Sequence, residues 1–211
     1  MDILWYVSHG YLVLLPDIHY VIGRPAESAY HSVVSAVHYI CKMPWVDRNR
    51  LGLQGHSFGA YEANYIVTRT SLFAAACCAN GTSDLISESG EFVGNTGNQG
   101  YYEMGQGRMG TTLWSRPDLY INQSPVFSAD KVTTPLLILH SPLDMSVYYP
   151  QGLEWFISLR RLGKKSWMLQ YPNEGHNLEE EEDQLDYTIR MNQFFDHFLK
   201  GTPAPEWMSR E

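Results

Sequence analysis

Short apolar runs alternate with longer amphipathic stretches along most of this chain. Runs such as YLVLL at 11–15 and PLLILH at 135–140 are as short and as apolar as strands that are buried on both faces. Between them, stretches such as 25–43 carry apolar residues at helical spacing. This alternation predicts an α/β fold, with a mostly parallel sheet covered by helices on both faces.

The predicted elements cover most of the chain. Strands are predicted at 11–15, 50–54, 72–79, 135–140 and 166–171, and helices at 25–43, 58–68, 150–162 and from the acidic run 179–183 through Leu199. An irregular excursion at 80–126, rich in Gly, Ser, Asn and aromatic residues, resembles insertions that form binding surfaces. Because the chain has 211 residues, of which 44% are hydrophobic, one domain spanning 1–211 is expected.

Composition bears on the partners and the compartment. The net charge of −8 disfavours nucleic acids and anionic membranes as partners. The first apolar segments are too short and too interrupted for a signal peptide or a membrane span. The chain as given is therefore expected to be soluble and cytoplasmic, and the compartment of any longer parent protein is left open. Cys41, Cys77 and Cys78 read as buried thiols, and neither a cofactor nor a metal ion is expected.

Ser57 stands between two glycines where a strand pattern gives way to a helix pattern, in the sequence LGLQGHSFGAY. A tight turn would explain the glycines. The same Gly-x-Ser-x-Gly arrangement between a strand and a helix is also the nucleophile elbow, in which small neighbours permit a strained turn that exposes the serine hydroxyl. The flanking patterns favour a nucleophile over a structural turn.

A serine nucleophile needs a base, and the base needs an acid that orients it. Among the eight histidines, His176 is the best placed, because it follows the last predicted strand in the loop PNEGH. Asp144 directly follows the strand PLLILH. Chemistry gathers beyond the carboxyl ends of parallel strands, and the order Ser57, Asp144, His176 is the order of α/β-hydrolases. The three residues are therefore predicted to form a catalytic triad.

These features resemble the prolyl oligopeptidase-type serine peptidases. The resemblance is carried by GYLVLLPD, RLGLQGHSFGAYEANYIVTRTSLFAAACCA, SPVFSADKVTTPLLILHSPLDMSV and WMLQYPNEGHNL, and it extends over nearly the whole chain. The chain is similar to the C-terminal α/β-hydrolase domain of the group that contains dipeptidyl and acylaminoacyl peptidases. The resemblance implies that Ser57 is the nucleophile, His176 the general base and Asp144 its orienter. It further implies that the backbone N–H of Phe58 binds the oxyanion, and that Phe58 and Val147 wall a substrate pocket.

The resemblance also implies that the domain is partial at its N-terminus. An N-terminal β-propeller, the first strands of the sheet and an early loop that supplies a second oxyanion donor have no counterpart here. One missing strand lies, in the family's sheet order, between 11–15 and 50–54. These two strands are therefore expected either to pair directly or to leave an open edge filled by another chain, which favours a homo-oligomer.

Three functions follow from these predictions. The first is a peptidase that hydrolyses peptide or acyl-peptide bonds through an acyl-enzyme. The second is a carboxylesterase that acts on small esters with the same triad. The third is a catalytically silent fragment, or an oligomerising scaffold, that keeps the hydrolase fold without a complete oxyanion hole.

Overall fold

A four-stranded parallel sheet forms the centre of the molecule. The computed structural model describes residues 3–93 and 96–209. Its strands are β1 (Gly52–His56), β2 (Ala75–Ala79), β3 (Phe92–Val93), β4 (Thr96–Gly97), β5 (Leu136–Leu139) and β6 (Ser166–Leu169). The central sheet has the order β1-β2-β5-β6, while β3 and β4 form a separate antiparallel pair. The carboxyl ends of the four central strands consequently lie along one edge of the sheet.

The connections between the strands are mostly helical. The helices are α1 (Ile3–Ser8), α2 (Pro25–Ile40), α3 (Phe58–Arg69), α4 (Leu85–Ser89), α5 (Gln99–Glu103), α6 (Pro117–Gln123), α7 (Tyr149–Arg161) and α8 (Glu181–Phe195). Two 3-10 segments, Pro125–Lys131 and Glu206–Ser209, and a π-helical turn at Asp196–Lys200 complete the chain. Prolines in the first turns of α2, α6 and α7 suit positions whose N–H needs no helical partner.

The sheet is covered on both faces, as the alternation of elements predicts. In β2, Ala76 and Cys78 face a core built with α3 and α7, which contributes the fully buried Trp155. The intervening Ala75 and Cys77 face a second core built with α8 and the turn that follows it. Strand residues that are apolar on both faces are what a doubly covered parallel sheet requires.

The segment 11–15 is not a strand, and this prediction is wrong. Tyr11 and Val13 pack on the core beneath α8, whereas Leu12 and Leu15 are exposed. Within the described residues, no backbone hydrogen bond joins this segment to β1. The prediction that the two pair directly therefore fails, because an apolar run becomes a strand only where a neighbouring strand accepts its hydrogen bonds. β1 lies at the edge of the sheet.

Other boundaries differ by a few residues. β1 begins and ends two residues later than predicted and runs directly into Ser57, and only the second half of the apolar run 72–79 forms a strand. α2 ends at Ile40, before the predicted 43. The excursion 80–126 holds α4, α5, α6 and the β3–β4 pair, and its residues 94–95 lie outside the described part of the chain.

Candidate active site

Ser57 occupies the turn between β1 and α3. Its backbone has φ 57° and ψ −125°, a conformation that residues with a side chain rarely adopt. The turn closes tightly because residue 55 is glycine: a Cβ there would lie 2.1 Å from the carbonyl oxygen of Gly59. The Ser57 N–H donates to the Ala79 carbonyl at 2.9 Å, so β2 holds the turn in place. The half-buried hydroxyl therefore projects beyond the carboxyl end of β1.

The three predicted triad residues meet at this point. The His176 Nε2 atom lies 2.8 Å from Ser57 Oγ, and His176 Nδ1 lies 2.8 Å from Asp144 Oδ2. Since an ionised carboxylate can only accept, Nδ1 carries the ring proton, and Nε2 is left as the acceptor for the serine hydroxyl. This arrangement can remove a proton from Ser57 without any change in the position of the ring.

Asp144 is almost fully enclosed, with 2% of its surface exposed. Its Oδ1 atom accepts hydrogen bonds from the backbone N–H groups of Ser146 and Val147 at 2.8 and 2.9 Å, which leaves Oδ2 for His176. The fully buried His140 donates from Nε2 to the Val147 carbonyl at 2.8 Å, and burial lowers the pKa of His140. A neutral His140 ring thus supports the turn that carries Asp144.

Further polar side chains hold the loop that carries His176. Glu174 is buried, and its two carboxylate oxygens accept the backbone N–H groups of Glu179 and Glu180 at 2.8 Å each. The His176 carbonyl lies within hydrogen-bond distance of the His56 ring and the Asn80 amide. Sequence reasoning missed these supporting roles. The sequence signals that could have revealed them are a polar residue before Ser57 (His56), one after β2 (Asn80) and one before Gly175 (Glu174).

Phe58 begins α3, and its backbone N–H belongs to the first turn of that helix, where N–H groups lack helical acceptors. Its ring is buried against Tyr20 and Tyr61, with ring centroids 6.4 and 5.1 Å away. The Arg108 guanidinium lies 4.0 Å from the centre of the Tyr20 ring, beside the same cluster. Val147 is buried next to Asp144. The oxyanion role of Phe58 and the pocket roles of Phe58 and Val147 remain predictions.

The described residues contain neither a metal-binding cluster nor a membrane-spanning helix. Across residues 3–93 and 96–209, no group of three or more His, Cys, Asp or Glu side chains is arranged to hold a metal ion. In the same part of the chain, every helix is too short or too polar to cross a lipid bilayer.

Comparison with known sequences gives consistent peptidase relatives. The uncharacterized peptidase YuxL of Bacillus subtilis is 33% identical over 172 residues, which cover 81% of this chain and 25% of that protein. A probable chloroplastic glutamyl endopeptidase of Arabidopsis thaliana is 27% identical over 156 residues, or 72% of this chain and 15% of that protein. The chain thus spans about a quarter or less of the length of these relatives.

Solved structures share the fold. A puromycin-hydrolyzing peptidase of Mycobacterium tuberculosis superposes with a TM-score of 0.77 at 21% identity, covering 87% of this chain and 27% of that one. The acylaminoacyl peptidase of Pyrococcus horikoshii gives a TM-score of 0.73 at 22% identity, covering 90% and 30%. The sequence profile described as the prolyl oligopeptidase family matches residues 5–202. The chain therefore belongs to the prolyl oligopeptidase family and has its α/β-hydrolase fold.

Proposed function

We propose that this chain carries the catalytic centre of a serine peptidase that cleaves peptide or acyl-peptide bonds through an acyl-enzyme. One observation carries the proposal: an unbroken hydrogen-bonded series runs from Ser57 Oγ through the His176 ring to Asp144, with 2.8 Å at each step. Membership of a peptidase family supports the same reaction class. Relatives that include dipeptidyl-peptidase 5 and acylamino-acid-releasing enzyme agree with short or acylated peptides as substrates.

In the proposed first half-reaction, Ser57 Oγ attacks the carbonyl carbon of the scissile bond while His176 Nε2 takes the hydroxyl proton. Asp144 holds the ring and stabilises the imidazolium that results. The tetrahedral intermediate then expels the amine, which receives its proton from His176 Nε2. The C–N bond is broken, and the acyl group remains as an ester on Ser57.

In the second half-reaction, water replaces the amine. His176 takes a proton from the water as its oxygen attacks the acyl carbon, and it returns that proton to Ser57 Oγ as the ester bond breaks. The products are a carboxylic acid and the free hydroxyl. His176 thus alternates between base and acid, which requires one ring position to serve both steps.

The Phe58 N–H is the proposed donor to the oxyanion, because it follows the nucleophile and opens α3. A second donor normally completes such a hole, and loss of one donor costs about 100- to 1000-fold in turnover. Because the leaving group of an activated ester needs less stabilisation of the transition state than an amine does, we expect activated esters to react more readily than amides.

A fluorophosphonate probe tests the nucleophile directly. The expected result is an O–P bond to Ser57 Oγ with loss of fluoride, located by mass spectrometry of the labelled peptide. Ser57→Ala should abolish labelling and His176→Ala should slow it, while the exposed Ser71→Ala serves as the matched control. Absence of labelling in a folded sample contradicts the proposal.

Substrate comparison then separates the remaining functions. Hydrolysis of a peptide p-nitroanilide supports a peptidase, and hydrolysis of p-nitrophenyl esters without any cleavage of the anilide supports a carboxylesterase. A folded chain that reacts with neither substrate nor with the probe fits a silent scaffold.

A further inference from the structure

The carbonyl oxygen of His176 receives two side-chain hydrogen bonds from other parts of the fold. His56 Nε2 lies 2.9 Å from this oxygen, and Asn80 Nδ2 lies 2.7 Å from it. The two donors come from positions 120 and 96 residues away in the chain. The carbonyl oxygen of a surface loop usually accepts hydrogen bonds from water. Two side-chain donors to the same carbonyl therefore indicate that the fold fixes the position of this backbone group.

His56 links this carbonyl to the nucleophile. It is the last residue of β1 and directly precedes Ser57. Its ring lies 5.1 Å from the His176 ring, measured between centroids. Because a carbonyl can only accept, the His56 ring must carry its proton on Nε2 to make this contact. His56, the residue next to Ser57, thereby holds the backbone of His176 through a hydrogen bond.

Asn80 links the same carbonyl to the loop of the acid. It directly follows β2, is 1% exposed and has a positive φ of 52°, which asparagine tolerates better than most residues. While its Nδ2 donates to His176, its Oδ1 accepts the backbone N–H of Ser141 at 3.1 Å. Ser141 lies three residues before Asp144. One buried side chain therefore joins the loops of the acid and the base.

An open space lies next to these contacts. A cavity of about 290 Å³ is lined by His56, Asn80 and His176 together with aromatic side chains that include Trp5 and Tyr187. Without the two donors, the His176 carbonyl would be hydrated from this space and its loop would have room to move. A displacement of 1 Å at the base lowers turnover by up to about 100-fold.

We propose that His56 and Asn80 are positioning residues that clamp the His176 backbone, so that its ring stays in line between Ser57 and Asp144. The inference rests on the proposed function, because it assigns to His56 and Asn80 a role in the same reaction. The inference assigns a function to His56, which occupies the unspecified position before the serine in the Gly-x-Ser-x-Gly elbow. The clamp acts on the geometry of the base and does not touch the substrate.

Kinetics of three variants test the clamp. His56→Leu and Asn80→Asp each remove one donor, and aspartate keeps the acceptor for Ser141. We expect each to lower kcat for an activated ester about tenfold with KM unchanged. The melting temperature should stay the same in His56→Leu and fall in Asn80→Asp, because the latter buries a carboxylate. His56→Gln, which retains an N–H donor, should restore most of kcat. His38→Leu, an exposed histidine on α2, is the matched control.

A second measurement does not depend on turnover. ¹⁵N NMR of the imidazole groups should show His56 as the Nε2–H tautomer, and Asn80→Asp should perturb the low-field proton shared by His176 and Asp144. A Nδ1–H tautomer of His56, or wild-type kcat in both His56→Leu and Asn80→Asp, overturns the clamp. If the wild-type chain is not labelled by the fluorophosphonate probe, the proposed function fails while the tautomer still decides the clamp.

Discussion

The carbonyl group of Gly59 occupies the place that a side chain at position 55 would need. A Cβ on residue 55 would lie 2.1 Å from the oxygen and 2.4 Å from the carbon of that group, both of them backbone atoms. Gly55→Ala must therefore displace the first turn of α3 and, with it, Ser57. We expect fluorophosphonate labelling to fall by about 100-fold or more, since Ser57 moves relative to His176, the proposed base.

Gly59→Ala is the matched control for this substitution. A Cβ at position 59 has no atom within 4 Å, so the backbone can stay where it is. Its melting temperature should equal or exceed that of the wild type, because alanine in place of glycine in a helix gains up to about 1 kcal/mol. Wild-type labelling of Gly55→Ala would show that the elbow does not depend on the close approach of the two glycines.

Glu88 is a second position where a single side chain has a measurable effect. It is 1% exposed, and its Oε2 atom has no hydrogen-bond partner among the described residues. Burial, together with the nearby acids Glu91 and Asp144, raises the pKa of Glu88 to about 9. The folded protein therefore holds a proton at neutral pH that the unfolded chain, with a carboxyl pKa of 4.5, has released. The stability contributed by this group falls as the pH rises from about 4.5 to about 9.

Glu88→Gln should remove this dependence, because the amide keeps the shape of the protonated acid and cannot ionise. We expect the variant to be more stable than the wild type at pH 8 by an amount on the order of 5 kcal/mol, and the difference to vanish below about pH 4. Urea unfolding at several pH values measures it. The exposed Glu182→Gln is the control, and identical pH profiles for Glu88→Gln and the wild type would contradict the prediction.

The loop between β6 and α8 is fixed largely by one carboxylate. Glu174 accepts two backbone N–H groups just before α8, and its own carbonyl accepts the N–H of Leu143, next to Asp144. Glu174→Gln leaves one oxygen in place of two, so one of the N–H groups of Glu179 and Glu180 loses its buried partner. We expect a loss of about 1 to 3 kcal/mol in unfolding free energy and slower labelling of Ser57.

Hydrogen exchange distinguishes this local effect from a general loss of stability. The amides of Glu179 and Glu180 should exchange faster in Glu174→Gln, whereas those of β5 should be affected far less. Glu181→Gln, an exposed change at the start of α8, is the matched control. Unchanged protection of both amides would show that the loop is held by other contacts.

Some features of the fold and the site can be predicted from local sequence, whereas others depend on contacts between distant parts of the chain. Ser57, Asp144 and His176 could be chosen because each follows an apolar run, and parallel strands end along one edge of the sheet. The contact between Asn80 and His176 could not be chosen, because it joins residues 96 positions apart and leaves no local periodicity. The run 11–15 has a strand composition, yet its state depends on a neighbouring strand that local composition cannot supply.

At the scale of the whole molecule, the sheet is asymmetric. β2 and β5 are buried along their full length, while β1 is half exposed and has a neighbour on one side only. The turn that carries Ser57, the proposed nucleophile, therefore follows an edge strand of the described part of the chain. An unpaired edge presents backbone N–H and C=O groups that can add another strand.

We expect this edge to drive self-association of the chain. The segment 11–15 exposes two leucines, Leu12 at 72% and Leu15 at 65%, and we expect the association to cover them as well. Sedimentation equilibrium should show an association that depends on concentration, and the double variant Leu12→Lys, Leu15→Lys should weaken it about tenfold or more, because charged side chains oppose the burial of this apolar surface. Ile157→Lys, which changes a 54% exposed residue on α7, is the control and should associate like the wild type. A wild-type chain that is monomeric at every concentration contradicts the expectation, and equal weakening by the control would place the contact away from β1.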